Sequence, residues 1–253
     1  MISNGSTLKL ISASIAMGTS LFATSSVAQS NWEFNVTPYG WLAGLEGDLG
    51  TVPGFPAQSV DLSFGDILDD LDYGLFLFSS ARNGPWVIYF DGSMVKTTSK
   101  ESGSGTIVNK IITESRTSTL ALAIGRTVSS SQRHNVDAYV GARAWWLDNE
   151  FTVDTVFGKR KSDSDASWID PLIGLAGQYT INDRWSVFGN AEVGGFGVGA
   201  DWEWGLTAGA NYAFTDTFSL AFGWRVLSVD YDDKGIVFDA TQSGPLIGAT
   251  FRF

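Results

Sequence analysis

The amino-acid sequence predicts an all-β fold: a transmembrane, antiparallel up-and-down β-barrel of about ten strands, preceded by a cleaved signal peptide. Three observations predict it. Hydrophobicity alternates with period two through most of the chain, as in half-buried strands. The connections alternate between short polar turns and longer segments, as in barrels that cross a membrane. The chain also closes on a strand with aromatic side chains on one face, ending at Phe253.

Composition agrees with this class. The 253 residues contain 29 glycines, 13% aromatics, 17% charged residues and no cysteine, a balance too polar for a helical membrane protein and poor in charge for a soluble enzyme. A wall greasy outside and polar inside averages to the mean hydropathy near zero found here. Without cysteine there is no disulfide and no thiolate metal site.

The first segment, 1–28, reads as a signal peptide. Lys9 precedes an apolar run from Leu10 to Ala23, and Ser26-Val27-Ala28 places small residues three and one before a cut at Gln29. The run is shorter than the roughly 20 residues of a spanning helix. Removing it takes away Lys9 and moves the net charge from −11 to −12. A chain this acidic is a poor nucleic-acid partner. Residues 29–253 then form the barrel. If they lie in a membrane, a closed sheet is the form left to them, because lipid leaves no partner for an open backbone.

Strands are expected near 32–42, 73–81, 85–97, 106–128, 136–147, 168–181, 185–196, 201–214, 218–230 and 236–253. In 201–214, Trp202, Trp204, Leu206, Ala208, Ala210 and Tyr212 share an outward face against Glu203, Gly205, Thr207, Gly209 and Asn211. Trp32, Trp86, Trp185 and Phe218 each open a strand just after the N-terminus or a short turn, which predicts one aromatic girdle. Segment 73–81 is apolar on both faces. A misreading there gives eight strands; a hairpin hidden in 43–72 gives twelve. The connections 43–72, 99–106, 148–167 and 230–235 are expected as the longer outer loops.

In the closing strand Pro245, Ile247, Ala249, Phe251 and Phe253 share a face. Here the chain resembles small outer-membrane barrels of Gram-negative bacteria, whose terminal aromatic strand is read by the barrel-assembly machinery. That resemblance implies an outer-membrane location, with Phe251 and Phe253 as the assembly signal. The run Asp61-Leu62-Ser63-Phe64-Gly65-Asp66-Ile67-Leu68-Asp69-Asp70-Leu71, then Arg82 to Trp86 and Asp91, looks like a narrower family of such barrels without an assigned biochemical role. It brings no functional residues with it.

The chemistry-bearing residues argue against an enzyme. Barrels resembling lipid A deacylases, phospholipases or omptin proteases use a histidine, which suits general-base work near neutral pH. The single histidine, His134, falls in a short polar turn beside serines that favour turns. Gly195-Phe196-Gly197-Val198-Gly199 has neither the following helix nor the lysine of a phosphate loop, and reads as a tight hairpin.

In the acidic run, Phe64, Ile67, Leu68 and Leu71 follow helical spacing, predicting a short helix tucked against the rim. Asp66, Asp69, Asp70 and Asp72 read as its solvated face, the sharper alternative being cation contact. Lys159-Arg160-Lys161, in an outer connection, faces the phosphates of lipopolysaccharide or simply solvent. Asp91, Asp137, Arg143, Asp170, Glu192, Arg225 and Arg252 fall on lumen faces, and their mixed signs predict ion pairs across a narrow, filled lumen.

The sequence therefore predicts a monomeric, non-enzymatic barrel without cofactor, in contact with outer-membrane lipids and lipopolysaccharide. Its role would be envelope structure or surface interaction. A narrow channel for small solutes or cations is the alternative, and a hydrolase without histidine a third reading.

Overall fold

The structure, a computed structural model, describes residues 32–50, 56–102 and 107–253. The signal segment 1–28 and its cleavage site lie outside them. Among the described residues twelve strands follow in order: β1 (Trp32–Trp41), β2 (Gly44–Gly50), β3 (Gln58–Leu62), β4 (Leu71–Asn83), β5 (Trp86–Ser102), β6 (Val108–Ser130), β7 (His134–Thr155), β8 (Gly158–Thr180), β9 (Trp185–Gly195), β10 (Trp202–Ala213), β11 (Phe218–Asp233) and β12 (Ile236–Arg252). A helix, α1 (Phe64–Asp69), joins β3 to β4.

Each strand pairs antiparallel with its neighbour from β4 round to β12, and β1 pairs with both β4 and β12, closing ten staves into a barrel. The other two strands come from 43–72. β2 continues β1 in the same register along β12, and β3 folds back on β2 as a hairpin. The hidden hairpin is thus present, and it adds to the ten staves rather than replacing one.

The ladder is longest where loops were expected. Leu147–Thr155 of β7 pair residue for residue with Gly158–Ala166 of β8, so 148–167 is a hairpin extending above the barrel, not a loop. Similarly, β5 runs to Ser102 and β11 to Asp233. Charged residues are dense on these extensions. They read as loop by polarity, although the antiparallel ladder continues through them.

Alternation decides which face is inside. On β6, Leu120, Leu122 and Ile124 point outward and are exposed, whereas Ala121 and Ala123 between them are buried. The same alternation on β7 to β12 surrounds the barrel with an exposed apolar belt, the arrangement that calls for a non-aqueous neighbour. Near one end Trp32, Trp86 and Trp185 are exposed, and the Arg126 guanidinium lies 5.7 Å from the Trp86 ring centre. Phe218 packs on Phe251, with ring centres 5.4 Å apart. The closing strand is locked by two reciprocal backbone bonds, Phe253 N–H to Phe34 O at 3.0 Å and Phe34 N–H to Phe253 O at 3.1 Å.

Candidate functional site

The lumen is the concave, polar part of the molecule, and its centre is filled. Each strand contributes alternate side chains, so residues far apart in sequence meet there. Arg143 on β7 is fully buried; it donates to Glu192 Oε1 on β9 at 2.6 Å and pairs with Glu203 on β10. The Trp145 indole N–H donates to the second oxygen of Glu203 at 2.8 Å. Across the lumen, Arg225 on β11 donates to Asp91 on β5 at 2.5 Å, and the Tyr39 hydroxyl donates to the other Asp91 oxygen at 2.9 Å. The Arg225 guanidinium also lies over Trp41, 4.9 Å from the ring centre. Buried charges are tolerable only when paired and hydrogen-bonded in this way.

Above this ionic layer, on the β7 to β12 side, the lumen is packed with rings. Trp168 lies between Trp145, with centroids 5.6 Å apart, and Tyr231, 3.8 Å away, and Phe238 closes the cluster. Asp170 accepts from the Trp168 indole at 2.7 Å and from the Ala200 N–H at 2.7 Å, which pins the β9–β10 connection inward. Gly199 fits there because a Cβ would sit 2.7 Å from the Asp170 carboxylate. The run Gly195 to Gly199 is thus a tight connection, with Gly195 and Gly197 at positive φ.

Below the layer, Asp137 accepts from Arg82 at 2.5 Å, Tyr89 at 2.6 Å and Thr127 at 2.8 Å. Tyr139 donates to Asn190 at 2.6 Å, its ring lying across Gly174, where a Cβ would come within 2.3 Å of Cζ. Arg252 donates to Ser219 at 3.3 Å. The structure therefore brings Asp91 to Arg225 and Arg143 to Glu192, sets Asp170 beside Glu203, and leaves Asp137 and Arg252 in separate contacts. Sequence reading missed Arg82, Tyr39 and Glu203 as partners, though all three sit in register on inward faces.

Two cavities flank the ionic layer. The inner one, about 550 Å³, is lined by Asn35, Arg82, Asp137 and Asn211, among others. The outer one, about 1080 Å³, is lined by Leu45, Val60, Ile67, Val95 and Thr117, among others. On the β4 to β6 side they approach closely: along β6, Thr119 lines the outer cavity and Ala121 the inner.

The remaining candidates sit at the ends. His134 faces the hydroxyls of Ser129 at 3.0 Å and Ser131 at 2.8 Å in a turn. Ser63 caps α1 and Asp66 reciprocates, accepting from the Ser63 hydroxyl at 2.6 Å and backbone N–H at 2.9 Å. These bonds hold the Asp66 carboxyl below the usual carboxylate range. Asp72 accepts from Thr98 at 2.7 Å, and Asp70 caps the helix C-terminus. Among the described residues, no three metal-type side chains converge. Phe64, Ile67 and Leu71 line the outer cavity, whereas Leu68, expected on the same stripe, is 51% exposed.

No family of known proteins and no curated protein matches this chain. Solved structures do. The outer-membrane protease OmpT of Escherichia coli superimposes with a TM-score of 0.54 at 10% identity, over 89% of this chain and 98% of that one. The translocator domain of the autotransporter NalP from Neisseria meningitidis gives 0.43 at 10% identity, over 89% and 90%. Neisserial surface protein A gives 0.35 at 14% identity, over 88% and 98%. At such identities the likeness to OmpT concerns the barrel architecture alone.

Proposed function

We propose that this chain is a non-enzymatic barrel of the Gram-negative outer membrane, closed at mid-lumen, that serves envelope structure or surface interaction. The observation that carries the reading is the ionic layer of Arg143, Glu192, Glu203, Arg225 and Asp91 beneath the Trp145–Trp168–Tyr231 stack. A barrel filled in this way transmits no large solute. The belt of exposed Leu122, Ile124, Val140, Ile173 and Leu206 suits hydrocarbon, and a closed ladder is the form of sheet that hydrocarbon tolerates. The β5 to β8 extensions then stand outside the cell.

Topology tests this reading. An epitope inserted between Phe157 and Gly158, at the β7–β8 turn, should bind antibody on intact cells. One inserted at Asp183 should bind only after permeabilisation. Recovery of the protein in soluble or inner-membrane fractions would overturn the location. Turnover of labelled lipopolysaccharide or peptide by refolded protein would overturn the non-enzymatic part.

One observation favours the narrow-channel alternative: a single side-chain layer separates the two cavities along β1, β5 and β6.

A further inference from the structure

The wall of the barrel is incomplete in its outer half. β1 pairs with β4 only as far as Pro38 and Leu77, and Pro38 has no N–H to extend the ladder. Among the described residues, the β4 edge from Leu71 to Phe76 is paired on its β5 side alone, and the outer edge of β3 has no strand partner. Between Tyr39–Trp41 and Gly74–Phe76 the staves are joined by rings instead of backbone bonds. The Phe76 ring lies 5.4 Å from Tyr39 and 6.3 Å from Trp41. The helix α1 bounds this seam from above.

An open edge facing hydrocarbon is costly unless it lines a cavity. Behind this seam lies the outer cavity of about 1080 Å³, lined by Leu45, Leu49, Val60, Phe64, Ile67 and Val95. Outside it, Leu75 and Leu77 on one bank and Leu42 and Ile247 on the other are exposed, continuing the apolar belt up to the opening. At about 3.3 Å per residue, the stretch where Tyr39–Trp41 faces Gly74–Phe76 makes a slot roughly 10 Å long. A slot of that length suits one hydrocarbon chain, not a bulky headgroup. The lining also includes the charged side chains Arg160, Lys161, Asp66, Asp70 and Glu101, and Lys161 is paired with Glu150 at 2.6 Å.

From this geometry we infer that the outer cavity binds a single-chain amphiphile of the fatty-acid class, taken laterally from the outer leaflet through the β1–β4 seam with Phe76 as the door. The cavity volume is at the upper end of ordinary ligand sites. The inference rests on the membrane reading above.

The absence of cysteine makes the test clean. Thr117→Cys, labelled with bimane, places a fluorophore in the cavity of protein refolded into phosphatidylcholine vesicles. A second form adds Gly40→Cys and Leu75→Cys on the two banks, joined by a reducible bifunctional thiosulfonate before the bimane step. Vesicle flotation and the heat-dependent gel shift first establish insertion and folding; failure to float would sink the membrane reading itself. In inserted protein, 16-doxyl-stearate should quench bimane saturably, oleate should reverse it, and Val95→Trp should reduce it at least fivefold. The cross-link should slow quenching at least tenfold, and reduction should restore the rate. Quenching that is unsaturable, or equal in the Val95→Trp variant, means lipid proximity only and removes the site. Equal rates with and without the cross-link remove the lateral route. Displacement by lipopolysaccharide but not by oleate overturns the choice of ligand.

Discussion

Arg143 shows how much rests on one side chain in a lumen. It is fully buried between Glu192 and Glu203, so its removal leaves two carboxylates without their cation. Breaking such a pair from one side costs about 3–5 kcal/mol, more than the pair contributes over an apolar replacement. Arg143→Ala should therefore lower the urea midpoint of the refolded barrel strongly. The triple change Arg143→Met, Glu192→Gln, Glu203→Gln should recover much of the loss. Equal destabilisation by both would show that packing, not unpaired charge, sets the cost. Asp66 gives a pH-dependent counterpart. Its carboxyl is held below the usual range by bonds that require the ionised form, so its support for α1 is complete above about pH 4 and fades as pH falls through the lowered value. Protection factors of the 64–69 amides, taken against intrinsic exchange at each pH, should fall on acidification in wild type, and already be low and insensitive to pH in Asp66→Ala. At this scale the sequence was partly legible. Inward Asp91 and Arg225 follow from parity along a strand, but their pairing does not, because it joins β5 to β11 across the lumen.

At the scale of the strand, parity is the strongest signal in the chain. Ala208 and Thr207 on β10 are neighbours with opposite neighbourhoods, one on the exposed belt and the other lining the inner cavity. Ala208→Arg should cost about 2–4 kcal/mol if it lies near a bilayer midplane. Thr207→Arg should instead disturb lumen packing, with little change in lipid contact. Spin probes at the two positions that report equal accessibility to lipid-soluble oxygen would show the register to be wrong. Strand cores were legible for this reason, and strand ends were not. Lys159 to Asp165 looks like loop by charge and lacks a run of alternating burial, yet β7 supplies the partner residue for residue. The helix was legible from its spacing. The outward turn of Leu68 was not, because a six-residue helix places only part of its stripe on the wall. β2 and β3 were foreseen only as a hairpin that 43–72 could hide, because Gly44, Gly47 and Gly50 interrupt the alternation that would mark β2 as a strand.

Taken as a whole, the molecule is a barrel whose closure lies in its middle rather than at its mouths. Ten staves leave room for side chains and about one small ligand, and here the two sides of the lumen are filled differently. Rings fill the β7 to β12 side, while one layer of Tyr39, Asp91 and Arg225, roofed by Trp41, separates the cavities on the other. The barrel class, the girdle and the closing strand follow from local pattern. This asymmetry does not, since it arises only when the staves close. Single-channel recording in planar bilayers tests it most directly. Wild-type protein should give no discrete steps, and the Tyr39→Ala, Asp91→Ala, Arg225→Ala variant should give steady ones. Wild-type steps as large as those of the variant would contradict closure by this layer.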